Sequence, residues 1–369
     1  MIQLKKKLSL LLAAAMVVSA LAGCGPKNTG SASSGSASAS GSASGSVSGS
    51  VSGSASASTD TSQPAGAPEV NFMVLSGPTG VGAAYLIDSY GADSAPADAP
   101  FTLNTTVAVE NTEVTNALVN GDADIAAIAT NVAANLAAKT DGGIQVLAVN
   151  TLGVLYILEK GDTVHSMADL KGQTLYAPST AKGANPEYIL NHLLTENDVD
   201  PSEVDIQWMT PQEITAKIAS SDSGICMLPV PAATALLVKD SGVREALSLS
   251  DEWDKLDQGA LPMGCVAART DFIEENPELV DAFLDLYGDS ISFMSDENNR
   301  PDAAALATKY GITANDAIAA KAIPQCNLTL ITGMEMKDIL EQYYQVLFQA
   351  DPASIGGAMP YDSFYYGAE

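Results

Sequence analysis

An alternation of apolar and helical segments, which occurs twice along the chain, is the feature that most constrains the fold. In the first copy, residues 70–75, 101–109 and 125–129 are predicted strands, and a segment with helical signals follows each of them. Residues 70–75 are apolar on both faces, which is typical of a strand inside a parallel sheet. Strands that alternate with helices indicate parallel sheets built from crossover connections.

The second copy repeats this order about one hundred residues later. Its predicted strands are residues 174–177, 204–209 and 225–228. Thr210 and Glu213 form a capping box, which predicts the start of a helix. We also predict that Asn185 caps a helix whose first residue is Pro186. In the first copy, Thr112 is predicted to cap the corresponding helix.

The two copies align at a constant offset of 100 residues. Identical residues then coincide at Pro78 and Pro178, Ala84 and Ala184, Glu113 and Glu213, Thr115 and Thr215, Asp122 and Asp222, Ile125 and Ile225, Ala133 and Ala233, and Leu136 and Leu236. These coincidences follow the same order of strands and helices. We therefore predict an α/β protein of two structurally equivalent lobes, each a small doubly wound sheet.

The pattern changes after residue 255, and no third copy of the lobe follows. Residues 263–268 are a predicted strand, Asn276 and Pro277 begin a long predicted helix, and residues 334–348 are also helical. The simplest topology returns the chain to the first lobe. Lobe one then comprises residues 68–155 and 262–369, and lobe two comprises residues 156–261. Crossings at residues 150–156 and 259–264 would form a two-stranded hinge.

The N-terminal residues indicate export and anchoring. Three lysines precede an apolar run at residues 8–21, which is too short to span a bilayer comfortably and is typical of an export signal. Residues 21–24 (LAGC) resemble the bacterial lipobox, so residues 1–23 are predicted as a signal peptide and Cys24 as the lipidated residue. An ordinary signal with an incidental cysteine is the alternative. Residues 24–67 are mainly Ser, Gly and Ala, which predicts a flexible tether.

Composition excludes several functional classes. Three of the 17 basic residues and none of the 44 acidic ones lie in the predicted signal, so the remaining chain has a formal charge of −30. A surface this acidic argues against nucleic acid as a partner. Cys226, Cys265 and Cys326 lack metal-ligand spacing and are expected to be buried and inert. With His165 and His192 as the only histidines, we predict neither a metal site nor a cofactor.

The candidate site is the cleft between the lobes, because ligands of open α/β sheets bind beyond the carboxyl ends of the strands. In lobe one the expected ligand-binding residues are Gly77, Pro78, Thr79, Thr130 and Asn131. In lobe two they are Tyr176, Ser179, Thr180, Lys182, Pro229, Val230 and Pro231. Asn150, Thr151 and Met263 are expected at the crossings.

The loops at residues 77–80 and 179–183 each precede a predicted helix, whose free N–H groups would suit a polar head group. Thr79 and Thr180 are expected on exposed edges of these loops. Lys182 could neutralise a ligand anion, although solvated lysines are more common. Tyr176 could stack on a planar ligand, although aromatic residues in strands more often belong to the core.

Four further segments carry a family resemblance. They are ALVNGDADI at residues 117–125, LKGQT at 170–174, ICMLPVP at 225–231, and RTDFI at 269–273 followed by Asn276-Pro277. With the lipobox, they resemble the substrate-binding lipoproteins of ABC importers that have the type II periplasmic-binding-protein fold. The resemblance is to the branch that includes taurine, alkanesulfonate, nitrate and thiamine-precursor binders.

This resemblance implies capture of a small polar or anionic organic molecule in the cleft and its delivery to an ABC permease and ATPase. It places the chain as a monomer on the outer face of a bacterial cytoplasmic membrane, held through Cys24. The chain lacks the pocket arginine with which amino-acid binders clamp a carboxylate. Two alternatives share the fold: a surface ligand sensor, and the binder of another uptake system such as a tripartite transporter.

An enzyme is a less favoured alternative. The thiamine-pyrimidine synthases share the fold, and their chemistry depends on histidine and a cofactor lysine. Here His165 lies in a polar turn and His192 lies inside a predicted helix. The expected cleft residues are mainly Gly, Pro, Ser, Thr and Asn rather than acid–base pairs, so we predict binding without turnover.

Overall fold

A computed structural model describes residues 67–368 of the chain. The predicted signal peptide, Cys24 and all of the predicted tether except Ala67 lie outside these described residues. Within residues 67–368, none of the helices combines the length and the apolar character needed to cross a bilayer.

Eleven strands lie within the described residues. They are β1 (Glu69–Leu75), β2 (Thr102–Ala108), β3 (Ile125–Ala129), β4 (Ile144–Thr151), β5 (Leu155–Lys160), β6 (Thr174–Pro178), β7 (Asp205–Met209), β8 (Gly224–Pro229), β9 (Val243–Ser248), β10 (Gly264–Arg269) and β11 (Leu328–Ile331).

Thirteen α-helices lie within the same part of the chain. They are α1 (Pro78–Val81), α2 (Ala84–Tyr90), α3 (Asn111–Asn120), α4 (Thr130–Lys139), α5 (Asn185–Glu196), α6 (Pro211–Ser220), α7 (Ala232–Lys239), α8 (Leu249–Asp254), α9 (Thr270–Glu275), α10 (Pro277–Ser295), α11 (Arg300–Lys309), α12 (Asp316–Ala322) and α13 (Gly333–Ala350). Short 3₁₀ segments also occur, among them Ser179–Ala181 and Pro352–Ile355.

The strands form two sheets with equivalent topology. Sheet one has the order β11-β4-β10-β3-β1-β2, and sheet two has the order β7-β6-β8-β5-β9. In sheet one β1 is parallel to β2 and β3, and in sheet two β6 is parallel to β7 and β8. The register pairs Phe72 with Ile125 and Leu175 with Ile225. Ile125 and Ile225, which coincide at the 100-residue offset, therefore occupy equivalent strands.

Both sheets are mixed rather than purely parallel, which refines the predicted doubly wound arrangement. The chain crosses from β4 of sheet one to β5 of sheet two, and it later returns to sheet one at β10. Each entering strand runs antiparallel to its two neighbours: β5 between β8 and β9, and β10 between β3 and β4. A strand that enters from the opposite sheet starts at the edge where the parallel strands end, so it must run in the opposite direction.

Of the three predicted helix caps, one is confirmed and two are wrong. The capping box at α6 is present: Thr210 Oγ1 accepts from the Glu213 N–H at 3.2 Å, and Glu213 Oε2 accepts from the Thr210 N–H at 2.8 Å. The predicted caps Thr112 and Asn185 are wrong, because Glu110 and Ala184 occupy the N-cap positions of α3 and α5, and neither side chain makes a capping hydrogen bond. Asn185 is the first residue of α5, where its side chain makes a long-range hydrogen bond instead.

Two hydrophobic clusters stabilise the fold. One lies on one face of sheet one, where Phe72, Phe283 and Tyr287 pack with ring centroids 5.1 to 6.3 Å apart. The other is continuous from sheet one into sheet two and includes the fully buried Trp253 and Tyr343. Aromatic pairs at these separations stabilise beyond their buried area.

Helices from the C-terminal part of the chain join the two lobes, in addition to the two crossings. Helix α13 packs against both β4 and α5, and the ring centroids of Tyr343 and Trp253 lie 5.8 Å apart. Helix α12 packs against α7, beside a 3.0 Å hydrogen bond from Thr234 Oγ1 to Gln325 Oε1. Residues 300–350 therefore contribute to both lobes, beyond the completion of lobe one that the sequence predicts.

Candidate functional site

A cavity of about 390 Å³ lies between the two sheets. It is bordered by the carboxyl ends of β1, β2 and β3 on one side and of β6 and β8 on the other. Its lining residues are Leu75, Ser76, Pro78, Thr79, Val109, Glu110, Asn111, Thr112, Ala129, Asn131, Val132, Val154, Leu155, Pro178, Thr180, Ala181, Ala184, Asn185, Pro186, Met227, Pro229 and Met263. Both lobes and both crossings thus contribute to one cleft, as expected for ligand sites of α/β sheets.

The loop after β1 is held rigidly. Gly77 adopts a φ of 101°, which places Pro78 at the start of α1. A Cβ on Gly80 would overlap the carbonyl oxygen of Leu75, so the backbone turns back closely on the strand. Thr79 is buried, with 9% of its surface exposed, and this contradicts its expected place on an exposed loop edge. The loop packs against β10 rather than extending into solvent.

Asn150 supports this loop from behind. Its Nδ2 donates to the carbonyl of Thr79 at 3.1 Å and to the hydroxyl oxygen of Tyr287 at 2.9 Å. Burial raises the pKa of the Tyr287 hydroxyl, so Tyr287 stays neutral at any physiological pH. A Cβ on Gly264 would lie 2.8 Å from both Asn150 Oδ1 and Thr79 Oγ1. Asn150 therefore holds the backbone of the loop after β1 in position from inside the lobe-one wall.

The first turn of α4 links the two lobes. Thr130 Oγ1 donates to the carbonyl of Pro262 at 2.8 Å and accepts a hydrogen bond from Asn185 Nδ2 at 3.2 Å. The hydroxyl of Tyr344 donates to the Thr130 carbonyl at 2.8 Å. Asn185 is the first residue of α5, in the lobe that contains sheet two. The buried hydrogen bond between Asn185 and Thr130 therefore crosses between the lobes. Asn131, the next residue, is buried and lines the cavity.

The wall from sheet two is more open. Thr180 lines the cavity from the 3₁₀ turn after β6, and Ser179, Thr180, Lys182 and Gly183 are all exposed. Gly183 has a φ of 69°, and a Cβ there would meet no atom within 4 Å. This loop is more exposed than the loop after β1, in which Thr79 and Gly80 are buried.

The structure brings six of the fifteen candidate ligand-binding residues to the cavity lining. They are Pro78, Thr79, Asn131, Thr180, Pro229 and Met263. Thr130, Asn150 and Thr151 are buried behind the lining. Gly77, Ser179, Lys182 and Val230 are each next to a lining residue in the sequence without lining the cavity themselves, and Pro231 lies two residues after the lining residue Pro229.

Tyr176 does not line the cavity either. It lines a separate depression at the amino-terminal ends of β6 and β8, together with Gly172 and Gly224. The Nζ of Lys217 on α6 lies 4.9 Å from the centroid of its ring. The side chain of Tyr176 is therefore packed under α6.

Sequence reasoning missed two groups of lining residues. Val109 to Thr112 follow β2, and the rule that selected the loops after β1 and β3 would have selected them as well. Asn185 was read as a helix cap, which hid its place in the cavity wall. The apolar lining, including Leu75, Val132 and Met227, carries no separate sequence signal because buried strand and helix residues look the same.

The electrostatics of the cavity are simple. Among the described residues that line it, Glu110 is the one charged side chain, and none is a lysine, arginine or histidine. Helices α3, α4 and α5 begin at the cavity, and helix N-termini carry positive potential. The remaining lining is largely apolar. Such a lining suits noncovalent binding of a small organic molecule.

Outside the cavity, one larger depression and the cysteines of the described residues have structural explanations. A depression of about 640 Å³ lies at the opposite edge of sheet one, where Arg269 is already paired with Asp124 and Asp271. Within residues 67–368, Cys226, Cys265 and Cys326 are free and buried. Burial raises the pKa of Cys226 and of Cys326 to about 12, so both remain thiols at neutral pH. Within residues 67–368, no cluster of three or more His, Cys, Asp or Glu residues could hold a metal ion.

Solved structures share this architecture. An ABC transporter protein from Parabacteroides distasonis matches 80% of this chain and 98% of its own, with 22% identity and a TM-score of 0.66. The periplasmic aliphatic sulphonate binding protein SsuA from Escherichia coli matches 82% of this chain and 92% of its own, with 14% identity and a TM-score of 0.63.

A third match is a Candida albicans protein, CA3427, described as having the generic periplasmic binding protein fold. It covers 80% of this chain and 93% of its own, with 14% identity and a TM-score of 0.52. The chain has the periplasmic-binding-protein fold. In this fold the two sheets are the cores of two lobes, and the cavity described above is the cleft between them.

A family model described as NMT1/THI5 like matches residues 144–304, which is less than half of the chain. This segment runs from β4 to α11 and includes all of sheet two, β10 and both crossings. No curated protein sequence matches the chain. The resemblance found in the sequence, to the branch that includes alkanesulfonate and thiamine-precursor binders, is confirmed by the family model and by the similarity to SsuA.

Proposed function

We propose that this protein binds a small organic molecule between its two lobes, outside the cytoplasmic membrane, and delivers it to the permease and ATPase of an ABC importer. The observation that carries the proposal is the cavity itself. It lies at the carboxyl ends of strands from both sheets, and buried polar side chains from both lobes line it. Its volume of about 390 Å³ lies within the range of small-molecule sites.

Binding without chemical turnover is part of the proposal. His165 lies at the surface, 3.7 Å from Asp162, and His192 hydrogen-bonds to Gln258. Neither histidine lines the cavity. Among the described lining residues, Glu110 alone could act as an acid or base, and general acid–base catalysis normally requires a positioned partner.

Thermal-shift screening of the purified full chain against small molecules tests the binding function. A compound at about one hundred times its dissociation constant should stabilise the native state by about 2.7 kcal/mol. The compound should be recovered with unchanged mass after prolonged incubation. Accumulation of an altered product would contradict the binding assignment and would favour an enzyme.

Lipid anchoring is a second part of the proposal, supported by the lipobox at residues 21–24. We expect that Cys24→Ala releases the protein from the membrane fraction or blocks its maturation, because the substitution removes the thiol that would carry the lipid, and within residues 67–368 no helix is long and apolar enough to cross a bilayer. Cell fractionation with a labelled fatty acid measures this. A wild-type protein that stays in the membrane fraction without incorporating label would contradict the anchor while leaving ligand binding untouched.

A further inference from the structure

Two helices from the C-terminal part of the chain pack on lobe two from opposite faces. Helix α5 connects β6 to the parallel strand β7, and α7 connects β8 to β9, which are parallel because both run antiparallel to β5. These connections step toward opposite edges of sheet two, and crossovers between parallel strands are right-handed, so α5 and α7 lie on opposite faces. Helix α13 packs against α5, and α12 packs against α7. Lobe two therefore lies between α12 and α13.

Both helices are attached to lobe one, again on opposite faces. Helix α13 packs against β4 and against the 3₁₀ segment Pro352–Ile355, which packs against α4. Helix α12 packs against α11, which packs against α2. The connections that contain α2 and α4 step toward opposite edges of sheet one, so the same rule places these two helices on opposite faces. A rotation that separates lobe two from one of the two C-terminal helices would press it against the other.

The contact through α13 includes the second crossing. The aromatic rings of Trp253 and Tyr343 pack here, and both side chains are fully buried. Trp253 Nε1 donates to the carbonyl of Gly259 at 3.1 Å. A Cβ on Gly259 would overlap Oε1 of Gln342 on α13, so the crossing lies directly against this helix. Separation of α13 from lobe two would expose two large aromatic side chains to water, which the hydrophobic effect opposes.

The contact on the α12 side includes the first crossing. Gln325, three residues after α12, accepts the hydrogen bond from Thr234 on α7 at 3.0 Å. The Leu152 N–H donates to the Asn327 carbonyl at 3.1 Å, and Asn327 Nδ2 donates to the Gly153 carbonyl. The chain segment that follows α12 thus holds both α7 and the crossing between β4 and β5. Sliding of the lobes past each other would break these specific hydrogen bonds.

The cleft is open to solvent at the present separation of the lobes. Val109, Glu110 and Thr112 of lobe one line the cavity and are exposed, as is Thr180 of lobe two. These residues border a mouth on the side of the cleft away from the crossings. A small molecule can therefore reach the lining without separation of the lobes.

We infer that α12 and α13 hold the two lobes at one fixed separation, so that ligand enters through this mouth without hinge opening. Two lobes connected by two crossings alone could bend about those crossings. Here helices packed on both faces oppose rotation, and close-packed contacts do not deform continuously. The inference goes beyond the proposed binding function, because it concerns the lobes before any ligand is present.

The test measures the distance between the lobes in the unliganded full chain. Nitroxide labels are attached through a ketone-bearing non-natural residue at Asn116 on α3 and at Ala216 on α6, so the native cysteines remain untouched. Both positions are exposed, and they follow the edge strands β2 and β7, where bending about the crossings would produce a large displacement. A control pair at Asn116 and the exposed Asp285, both in lobe one, gives the width that the labels themselves contribute. Double electron–electron resonance records both distance distributions.

A single maximum with the width of the control pair is the expected result. The double variant Thr234→Val with Tyr343→Leu removes one contact on each face and should broaden the inter-lobe distribution. Tyr287→Leu is the matched control, because it removes a fully buried aromatic side chain inside lobe one. It should lower the melting temperature and leave the inter-lobe distribution unchanged. Circular dichroism establishes that each variant is folded.

Two results would overturn the inference. A second maximum in the wild-type protein, or a distribution clearly wider than the control, would show that the lobes open about the crossings. A folded double variant with the wild-type distribution would show that the contacts of α12 and α13 do not fix the separation. If the double variant fails to fold, the wild-type distribution alone decides. Both results leave the binding function to be judged by thermal shift.

Discussion

The two walls of the cleft are built from equivalent strands but differ in rigidity. In lobe one, Thr79 and Gly80 of the loop after β1 are buried, Asn150 donates a hydrogen bond to the Thr79 carbonyl, and the backbone is crowded at Gly80. In lobe two, the equivalent loop after β6 is exposed, and Gly183 has free space around it. The difference indicates that lobe one supplies a preformed surface and that lobe two adapts to what is bound.

Substitution of Asn150 should show the largest effect of this difference. Asn150→Ala removes the donor to the Thr79 carbonyl and to Tyr287, and both acceptors are buried. We expect a loss of about 2–6 kcal/mol in the free energy of unfolding, from about 1–3 kcal/mol for each of the two buried groups left unpaired. Chemical denaturation measures it.

Tyr287→Phe is the control for this substitution, because it removes only one of the two contacts. It should cost about 1 kcal/mol. If both variants lowered the free energy of unfolding equally, or if Asn150→Ala did not lower it, Asn150 would not be what holds the loop after β1 in position.

Glycine substitutions at the two walls should have effects of intermediate size on the free energy of unfolding. A Cβ on Gly264 would press on Asn150 and Thr79, so Gly264→Ala should cost about 1–3 kcal/mol by overpacking. Gly183→Ala meets no neighbour and should cost about 1 kcal/mol, from its left-handed backbone alone.

A second substitution at each position distinguishes steric overlap from backbone strain as the cause of the lost stability. Chemical denaturation measures the free energy of unfolding of each variant. Asn tolerates the left-handed region, so Gly183→Asn should regain most of the stability that Gly183→Ala loses. Gly264→Asn should be at least as damaging as Gly264→Ala. If asparagine restored stability at both positions, steric overlap at Gly264 would not be what distinguishes the two walls.

The strands and the two lobes were accessible from sequence because their signals are local. Apolar runs and the capping box at Thr210 each depend on a few neighbouring residues. The 100-residue offset placed Ile125 and Ile225 in equivalent strands for the same reason. The cleft position then followed from the general rule for α/β sheets.

The remaining features depend on contacts between distant residues. Whether Asn185 caps a helix or bonds to Thr130 is decided by a partner 55 residues away. The bridging role of α13 depends on its packing against α5, and the burial of Thr79 depends on β10. None of these contacts leaves a periodic pattern in the sequence, so the fold was predicted better than the individual site residues.

Hydroxyl removal on the two walls should show the smallest effects and tests the central claim, that one ligand contacts both lobes. Thr79→Val and Thr180→Val keep the side-chain volume, and Thr79 and Thr180 line opposite walls. Each should weaken the affinity of a stabilising compound by about 0.5–1.5 kcal/mol if its hydroxyl bonds to the ligand. Without ligand, the exposed Thr180 site should leave stability unchanged.

Calorimetry of the two single variants and the double variant is therefore the most direct measurement. The account predicts that both single variants weaken binding and that their effects are coupled, because each contact is complete only when the opposite wall is engaged. Affinity that survives both substitutions would contradict a ligand site shared by the two lobes.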